Sequence, residues 1–393
     1  MRLESLKYSE FEGAPQEWTL EGLRLGARNL IVGKNASGKT RVLNTIGSLA
    51  FNLAGLRPLS FFGDYDVTFD ADGKTLKYEL QLKQQQVAKE KFSVDGRVML
   101  DRGPNGEGLI WADEIEGGTN IRFQTPLGQL AAVAKRDAIQ HNFLEPLHDW
   151  ASSVRLYYFG TYLGKDHLAI FLERSMPWDE RDPNNVVALY RRAEQEFKED
   201  FKRAIIADMG ELEYDVEEVG IQPPTSLYFV GLPSPLGAFL LPGPLHGLFV
   251  KERDLYGITD QNSMSQGMFR ALSILIQVNY SQMAKKASCI LIDDIGEGLD
   301  FERSWRLIEL LRHKAEDTSI QLVLSTNDRF VMNHVPLEEW SVLQRRSGHV
   351  RVRNCENSRD VFEEFKFTGL SNFSFLEMDF VSGSPMEEAS AHE

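Results

Sequence analysis

The chain has 393 residues, of which 42% are hydrophobic and 26% charged, with two cysteines and a formal net charge of −15. This composition excludes a disordered or fibrous chain, and the length suits one large domain or two ordinary ones. The acidic balance argues against a surface built mainly for phosphate backbones, although it leaves room for a local basic groove.

The first residues, Met1–Lys7, lack the apolar core of a signal peptide. Cys289 and Cys355 show no metal-ligand spacing, so a reducing cytoplasm is the expected location. Residues Met1–Tyr8 alternate apolar and polar, and Leu20–Leu25 and Asn29–Val32 add further strands to a β-rich entry. Leu30–Val32 then runs into Gly33-Lys-Asn-Ala-Ser-Gly-Lys-Thr40, the phosphate-binding spacing GxxxxGK(S/T). Its glycines let backbone N–H groups turn inward around phosphates without a clashing Cβ. Lys39 supplies a point charge for the outer phosphates, and the Thr40 hydroxyl is a Mg²⁺ ligand. Val42, Leu43, Ile46 and Leu49 recur at helical spacing, so the loop opens a helix whose N-terminus favours anions.

Val67–Phe69, Leu76–Leu82, Lys91–Val94 and Val98–Leu100 alternate between Asp72-Gly73 and Asp95-Gly96 turns, predicting a meander of short strands. A further strand is predicted at Asn120–Gln124. From Pro126 the pattern turns helical, through Leu127, Leu130 and Val133 to Leu144 and Leu147. Val154–Phe159 predicts a strand. Asn184 to about Met209 predicts a long charged helix with an apolar stripe through Val187, Leu189, Ala193, Phe197, Phe201 and Ile205. The mixed charges on its other faces fit a solvated surface better than a DNA-binding one. Sustained heptads are absent, so no long coiled-coil arm is expected. Leu232–Val250 is apolar but holds Pro233, Pro235, Pro242 and Pro244, which favours buried loop or short strands over a membrane helix.

Residues 261–328 carry the second half of the nucleotide machinery. Ser263-Met-Ser-Gln-Gly-Met-Phe-Arg-Ala-Leu272 leads into an amphipathic helix, followed by the apolar strand Cys289–Ile292 and Asp293-Asp294. Asp293 is positioned to hold Mg²⁺ through water. Asp294 stands where a general base would meet the attacking water. The strand Ile320–Leu324 ends in Ser325-Thr-Asn-Asp328, at the sheet edge where ligands bind in such folds. Trp340–Gln344 and His349–Arg353 predict a hairpin, a phenylalanine-rich segment follows, and Ser382 onward reads as a disordered tail.

These motifs in this order resemble the ATP-binding-cassette (ABC) class of ATPases, and more narrowly its RecF/SMC-like and OLD-like branch. Gly33–Thr40 is similar to that branch's phosphate loop, with Asn35 at its usual place. Met264-Ser-Gln-Gly-Met268 resembles a degenerate LSGGQ signature that keeps Ser265 and Gly267, with Arg270 where the family often has a basic residue. Asp293-Asp-Ile-Gly-Glu-Gly-Leu-Asp300 resembles the Walker B and D-loop block, and Ser325-Thr-Asn327 the switch strand. Two departures stand out. Asp294 occupies the usual Glu position, and Asn327 replaces a His and cannot carry a proton. Both point to slow hydrolysis.

The resemblance implies an α/β fold: an ABC-type P-loop NTPase head, with a mixed sheet and an antiparallel β subdomain, plus a helical lid insert. The expected division is lobe I over 1–125, a mostly helical insert over 126–255, lobe II over 256–380 and a disordered tail over 381–393. Implied cofactors are ATP and Mg²⁺. The expected ATP site is Gly33, Lys34, Asn35, Ala36, Ser37, Gly38, Lys39, Thr40, Arg41, Gln124 (with Gln129 a rival Q-loop residue), Ser265, Gly267 and Asp300. Thr40, Asp293 and Gln124 would hold the metal, and Asp294, Asn327 and Lys39 would be catalytic. One loop and one signature per chain imply a head-to-tail homodimer sandwiching two ATPs. The implied function is an ATP-gated dimeric switch in defence against mobile elements or genome maintenance, with a separate effector. Alternatives are a RecF-like repair ATPase on duplex DNA and a non-hydrolysing assembly scaffold; DNA is thus a candidate partner and a membrane is not.

Overall fold

The computed structural model describes residues 1–112, 118–172, 178–225, 243–285, 288–316 and 318–382. The chain divides into two compact units. The first holds 1–156, 287–293 and 320–393, and the second 157–286 and 294–319.

The first unit opens with strands β1 (Arg2–Glu10), β2 (Trp18–Arg24) and β3 (Arg28–Val32), then helix α1 (Lys39–Leu53). A meander follows: β4 (Phe62–Ala71), β5 (Lys74–Lys83), β6 (Gln86–Val94), β7 (Arg97–Arg102), β8 (Glu107–Ala112) and β9 (Thr119–Gln124). Helices α2 (Ala131–Ala134) and α3 (Glu145–Ser153) lead to β10 (Arg155–Tyr158), where the chain passes into the second unit. That unit contains β11 (Ala169–Ile170), α4 (Val186–Glu211), β12 (Val216–Gln222), β13 (Leu245–Glu252), β14 (Thr259–Asp260) and α5 (Gln266–Met283). The chain returns to the first unit as β15 (Ser288–Asp293), enters the second for α6 (Phe301–Ala315), and comes back as β16 (Ile320–Ser325). Helix α7 (Arg329–His334), strands β17 (Trp340–Arg346) and β18 (His349–Arg353), and helices α8 (Arg359–Lys366) and α9 (Asn372–Glu377) complete the first unit.

The large sheet runs β10-β15-β16-β3-β17-β18-β2-β1-β4-β5-β6-β7-β8-β9. β15, β16, β3 and β17 are parallel neighbours; Ile290–Ile292, Leu322–Leu324 and Leu30–Val32 are buried in succession, which is why they read as apolar runs. From β2 through β1 to β9 every pairing is antiparallel. Alternation in β4 and β5 puts Tyr65, Val67, Phe69, Leu76, Tyr78 and Leu80 on one buried face. That face joins Val42, Ile46 and Leu49 of α1 and Trp150 of α3 in a single core, with Phe69 and Trp150 edge to face at 4.7 Å.

A fully buried charged network locks the meander to the segment after β9. Glu90 accepts from the Ala131 N–H (2.6 Å), the Ala132 N–H (2.8 Å) and the Tyr78 hydroxyl (3.0 Å). Arg102 lies 3.5 Å from its carboxylate and donates to the Pro126 carbonyl (3.0 Å) and to that of Gln129. Burial pushes the Glu90 carboxyl up, against the pull of these donors.

The second unit pairs helices with a small sheet, β11-β13-β12, with β14 on β13. Beside α2–α4, the stretch 126–255 therefore also holds β10–β13. The long charged helix forms as α4, but its backbone breaks at Lys198 (φ 52°). Of its stripe, Val187, Leu189, Ala193, Phe201 and Ile205 are buried and Phe197 is half-buried, and the Tyr190 hydroxyl donates to the Val219 carbonyl of β12 (2.8 Å). Asp208, Asn279 and Lys314 tie α4, α5 and α6 together; Lys314 Nζ is 2.9 Å from Asp208 and 3.0 Å from Asn279 Oδ1. Of the apolar stretch Leu232–Val250, residues 245–250 lie in β13, whereas 232–242 and the tail 383–393 fall outside the described residues. Among the described residues no helix is long and apolar enough to cross a membrane.

Candidate nucleotide site

In the first unit, parallel pairing sets the ends of three strands level. Ile292 is opposite Leu324, and Ser325 is opposite Ile31. Asp293, Ser325 and the Gly33 loop therefore meet at one edge of the sheet. Asp293 is buried and accepts two hydroxyls: Thr40 Oγ1 at 2.7 Å to Oδ2, and Ser325 Oγ at 2.5 Å to Oδ1. Lys39, also buried, donates from Nζ to the Gly33 carbonyl (3.0 Å), so its ammonium bridges the mouth of the loop.

The loop's shape explains its glycines. Gly38 has φ 106°, and Ala36 is also left-handed at φ 62°. A Cβ on Gly33 would lie 2.5 Å from Ser37 Oγ and 3.2 Å from Leu343. The Ser37 hydroxyl is buried without a hydrogen-bond partner, an orphaned polar group inside the cradle. Outside it, Arg345 Nη1 donates to the Ala36 carbonyl (2.9 Å), and the Trp18 ring lies against Gly38. Arg41 packs over Trp18, 4.5 Å from the ring centre, and pairs with Glu10. Lys34, Asn35 and Ala36 are exposed. A backbone cradle with an orphaned hydroxyl, beside a hydroxyl–carboxylate pair, is the donor set that phosphates and Mg²⁺ require. ATP and Mg²⁺ therefore fit the residues present.

Asn327 is exposed just past β16, and Asp328 caps α7 by accepting from the Phe330 N–H (2.7 Å). Gln124 is exposed. It lies on β9, the outermost strand, with nine strands between β9 and β3 in the sheet order. Gln129 lends its carbonyl to Arg102.

In the second unit, Ser265 caps α5: its hydroxyl accepts from the Met268 N–H (3.2 Å) while the residue itself stays exposed. Gly267 is buried, and a Cβ there would lie 2.7 Å from the Gly298 carbonyl and 2.9 Å from Leu299 Cδ2. Helix α5 thus rests directly on the Gly298 carbonyl and the Leu299 side chain. Arg270 fastens this contact by donating to the Gly160 (2.6 Å), Thr161 (2.8 Å) and Glu297 (2.7 Å) carbonyls. Desolvation draws its pKa down. Asp300 is the N-cap of α6, accepting from the Arg303 N–H (3.0 Å) and pairing with its guanidinium, contacts that hold its carboxyl below the usual range. Asp294 is half-buried and left-handed at φ 51°, a conformation that aspartate tolerates better than most non-glycine residues. Glu297 points its carboxylate at Gly160.

The family described as "AAA domain, putative AbiEii toxin, Type IV TA system" matches residues 28–333, most of the chain. The chain belongs to this family. Among solved structures, the SMC head bound to the C-winged helix domain of ScpA has a TM-score of 0.51 at 14% identity, over 90% of this chain and 98% of that one. The SMC head domain from Thermotoga maritima (0.46, 14%, 90% and 99%) and the Smc head with an extended coiled coil bound to the C-terminal domain of ScpA, derived from Pyrococcus furiosus (0.47, 12%, 93% and 99%), score lower. Comparison with curated proteins gives no match. At such identities the likeness is one of fold: this AAA-domain chain has a mixed α/β, ABC-type P-loop head similar to that of SMC proteins, and its family is one of P-loop ATPases.

Sequence reasoning missed several partners in the AAA-domain chain. Ser325 was visible only as a polar residue ending an apolar strand, yet it shares Asp293 with Thr40. Trp18 and Glu10 carried no signal, because their place beside Arg41 is set by sheet pairing. Gly160 and Thr161 act through backbone carbonyls, which no side-chain pattern can announce.

Proposed function

We propose that the chain binds ATP with Mg²⁺, hydrolyses it slowly, and works as an ATP-gated head-to-tail homodimer. The observation that carries this reading is the double hydroxyl contact at Asp293, Thr40 on one side and Ser325 on the other, at the strand edge beside the buried Lys39. Thr40 and Asp293 would hold the metal, which when bound neutralises charge on the outer phosphates. Gly33–Thr40 and Arg41 would cradle the phosphates, with Lys39 on the outermost. Ser265 and Gly267 would cover the triphosphate of the second copy, aided by the N-terminus of α5, and Asp300 would line the same junction. Asp294 would take the proton of the attacking water, one methylene shorter in reach than a glutamate, and Asn327 would orient that water without accepting its proton. Those two departures support slow turnover and a long-lived ATP state. Gln124 would be the Q-loop residue reaching the metal, with Gln129 its rival.

The domain reading is retained as a proposal: 1–125 and 256–380 as ATPase lobes around the 126–255 insert. Cytoplasmic defence against mobile elements, through an effector encoded separately, is the biological role we favour; the Type IV toxin–antitoxin wording of the family description supports it. One observation bears on the repair alternative: Arg345, Arg346, His349, Arg351 and Arg353 stand on the β17–β18 hairpin, although Glu21 of β2 is opposite Arg351 and Glu17 lies 4.0 Å from His349. Salt-dependent DNA binding that requires ATP and is weakened by Arg346→Glu would favour it. The test of the switch is solution size with ATP or ADP, alongside hydrolysis rate. Dimer with ATP, monomer with ADP and slow turnover are expected; an unchanged monomer under both, or rapid turnover, contradicts the proposal.

A further inference from the structure

Lys34, the second residue of the phosphate loop, is ion-paired with a residue 345 positions away: its Nζ lies 3.0 Å from Asp379 Oδ2. Asp379 follows α9 and is left-handed at φ 50°. A ring cluster fixes that segment. Phe375 is buried against Phe362 (4.7 Å), Phe365 (4.9 Å), Phe380 (5.9 Å) and Trp340 (6.4 Å). Two hydrogen bonds tie α9 to the end of α7: Asn372 Nδ2 to the Val335 carbonyl (2.9 Å) and the Phe373 N–H to Asn333 Oδ1 (2.8 Å). Because α7 starts directly after Asn327-Asp328, one segment touches both the phosphate loop and the helix behind the switch strand.

We propose that Asp379 is an internal competitor for the nucleotide's phosphates: its carboxylate holds Lys34 while the loop is empty and is displaced when a triphosphate enters, so that α9 senses occupancy. This rests on the reading of the loop as a triphosphate site. The two side chains are 68% and 47% exposed, and an ion pair so open to water contributes little and exchanges readily. A triphosphate brings several negative charges to the same ammonium, and a carboxylate left beside it would repel them. The loop's shape does not depend on the pair, since Lys39 and Arg345 hold the Gly33 and Ala36 carbonyls independently.

The test is calorimetric affinity of the full chain for a non-hydrolysable ATP analogue with Mg²⁺. Asp379→Asn is expected to tighten binding about three- to tenfold at low salt, with the gain shrinking as salt rises. Asp379→Glu should match the wild type, and in a Lys34→Gln background Asp379→Asn should give under half of its gain. Hydrogen exchange over 372–379 should speed up when the analogue binds to the wild type. Unchanged or weaker binding by Asp379→Asn, or an equal gain with and without Lys34, overturns the inference while leaving the nucleotide site intact. Absence of binding by the wild type, at the level of Lys39→Ala, overturns the nucleotide reading and this inference with it.

Discussion

Replacing Gly267 with alanine sets two effects of opposite sign against each other. In an open helical position the change would stabilise by up to about 1 kcal/mol, because glycine is the poorer helix former. Here the new methyl would sit 2.7 Å from the Gly298 carbonyl and 2.9 Å from Leu299 Cδ2. Neither neighbour yields freely: Gly298 is left-handed at φ 81°, and Arg270 grips the adjacent Glu297 carbonyl at 2.7 Å. Relieving the overlap means lifting α5 off this turn or breaking the Arg270 contact, a strain of about 1–3 kcal/mol. Set against the helix gain, the net expectation is a loss of up to about 2 kcal/mol, or a fall in melting temperature of up to roughly 8 °C. Because the same displacement disturbs the Ser265 cap and the turn leading to Asp300, hydrolysis should fall about tenfold or more, a barrier change of roughly 1.4 kcal/mol. Melting by circular dichroism and phosphate release measure the two effects. A melting temperature at or above the wild type, with unchanged hydrolysis, would refute the packing argument.

Asp293→Ala should abolish Mg²⁺-dependent nucleotide binding, read by calorimetry with and without the metal, because Thr40 and Ser325 lose their common acceptor. Glu90→Ala should destabilise the first unit by about 3–5 kcal/mol in urea melts, since it strands a buried guanidinium, a tyrosine hydroxyl and two N–H groups. Adding Arg102→Leu should recover part of that loss, because the double variant removes the uncompensated charge. Asp294→Glu should accelerate single-turnover hydrolysis several-fold by restoring the missing methylene of reach, whereas Asp294→Asn should prolong the ATP-bound dimer.

The parts legible in the sequence were those whose chemistry is local. The Gly33–Thr40 loop, the apolar strand ending at Asp293 and the serine cap of α5 each need only a few adjacent residues, and their spacing exposes them. The hairpin β17–β18 was visible for the same reason: Ser347-Gly348 turns between two alternating runs. The rank of Gln124's strand was hidden although the strand itself was recognised; rank is fixed by pairings far apart in sequence, such as β1 between β2 and β4. Glu90 and Arg102 carry no signal in the sequence, since each is fully buried and answers the other only through strand pairing. The break at Lys198 left the stripe of α4 intact, so periodicity could not reveal it. Strands β11–β14 were obscured by proline-rich surroundings and by the short length of β11 and β14.

The shared site is tested most directly by mixing two inactive variants. Lys39→Ala should disable the cradle but leave the cover intact, and Ser265→Arg the reverse. Each alone should be inactive in phosphate release, and an equal mixture should regain about a quarter of wild-type activity, since half of the dimers would each hold one intact composite site. No recovery on mixing, or full activity in Ser265→Arg alone, would contradict a nucleotide site built from two copies.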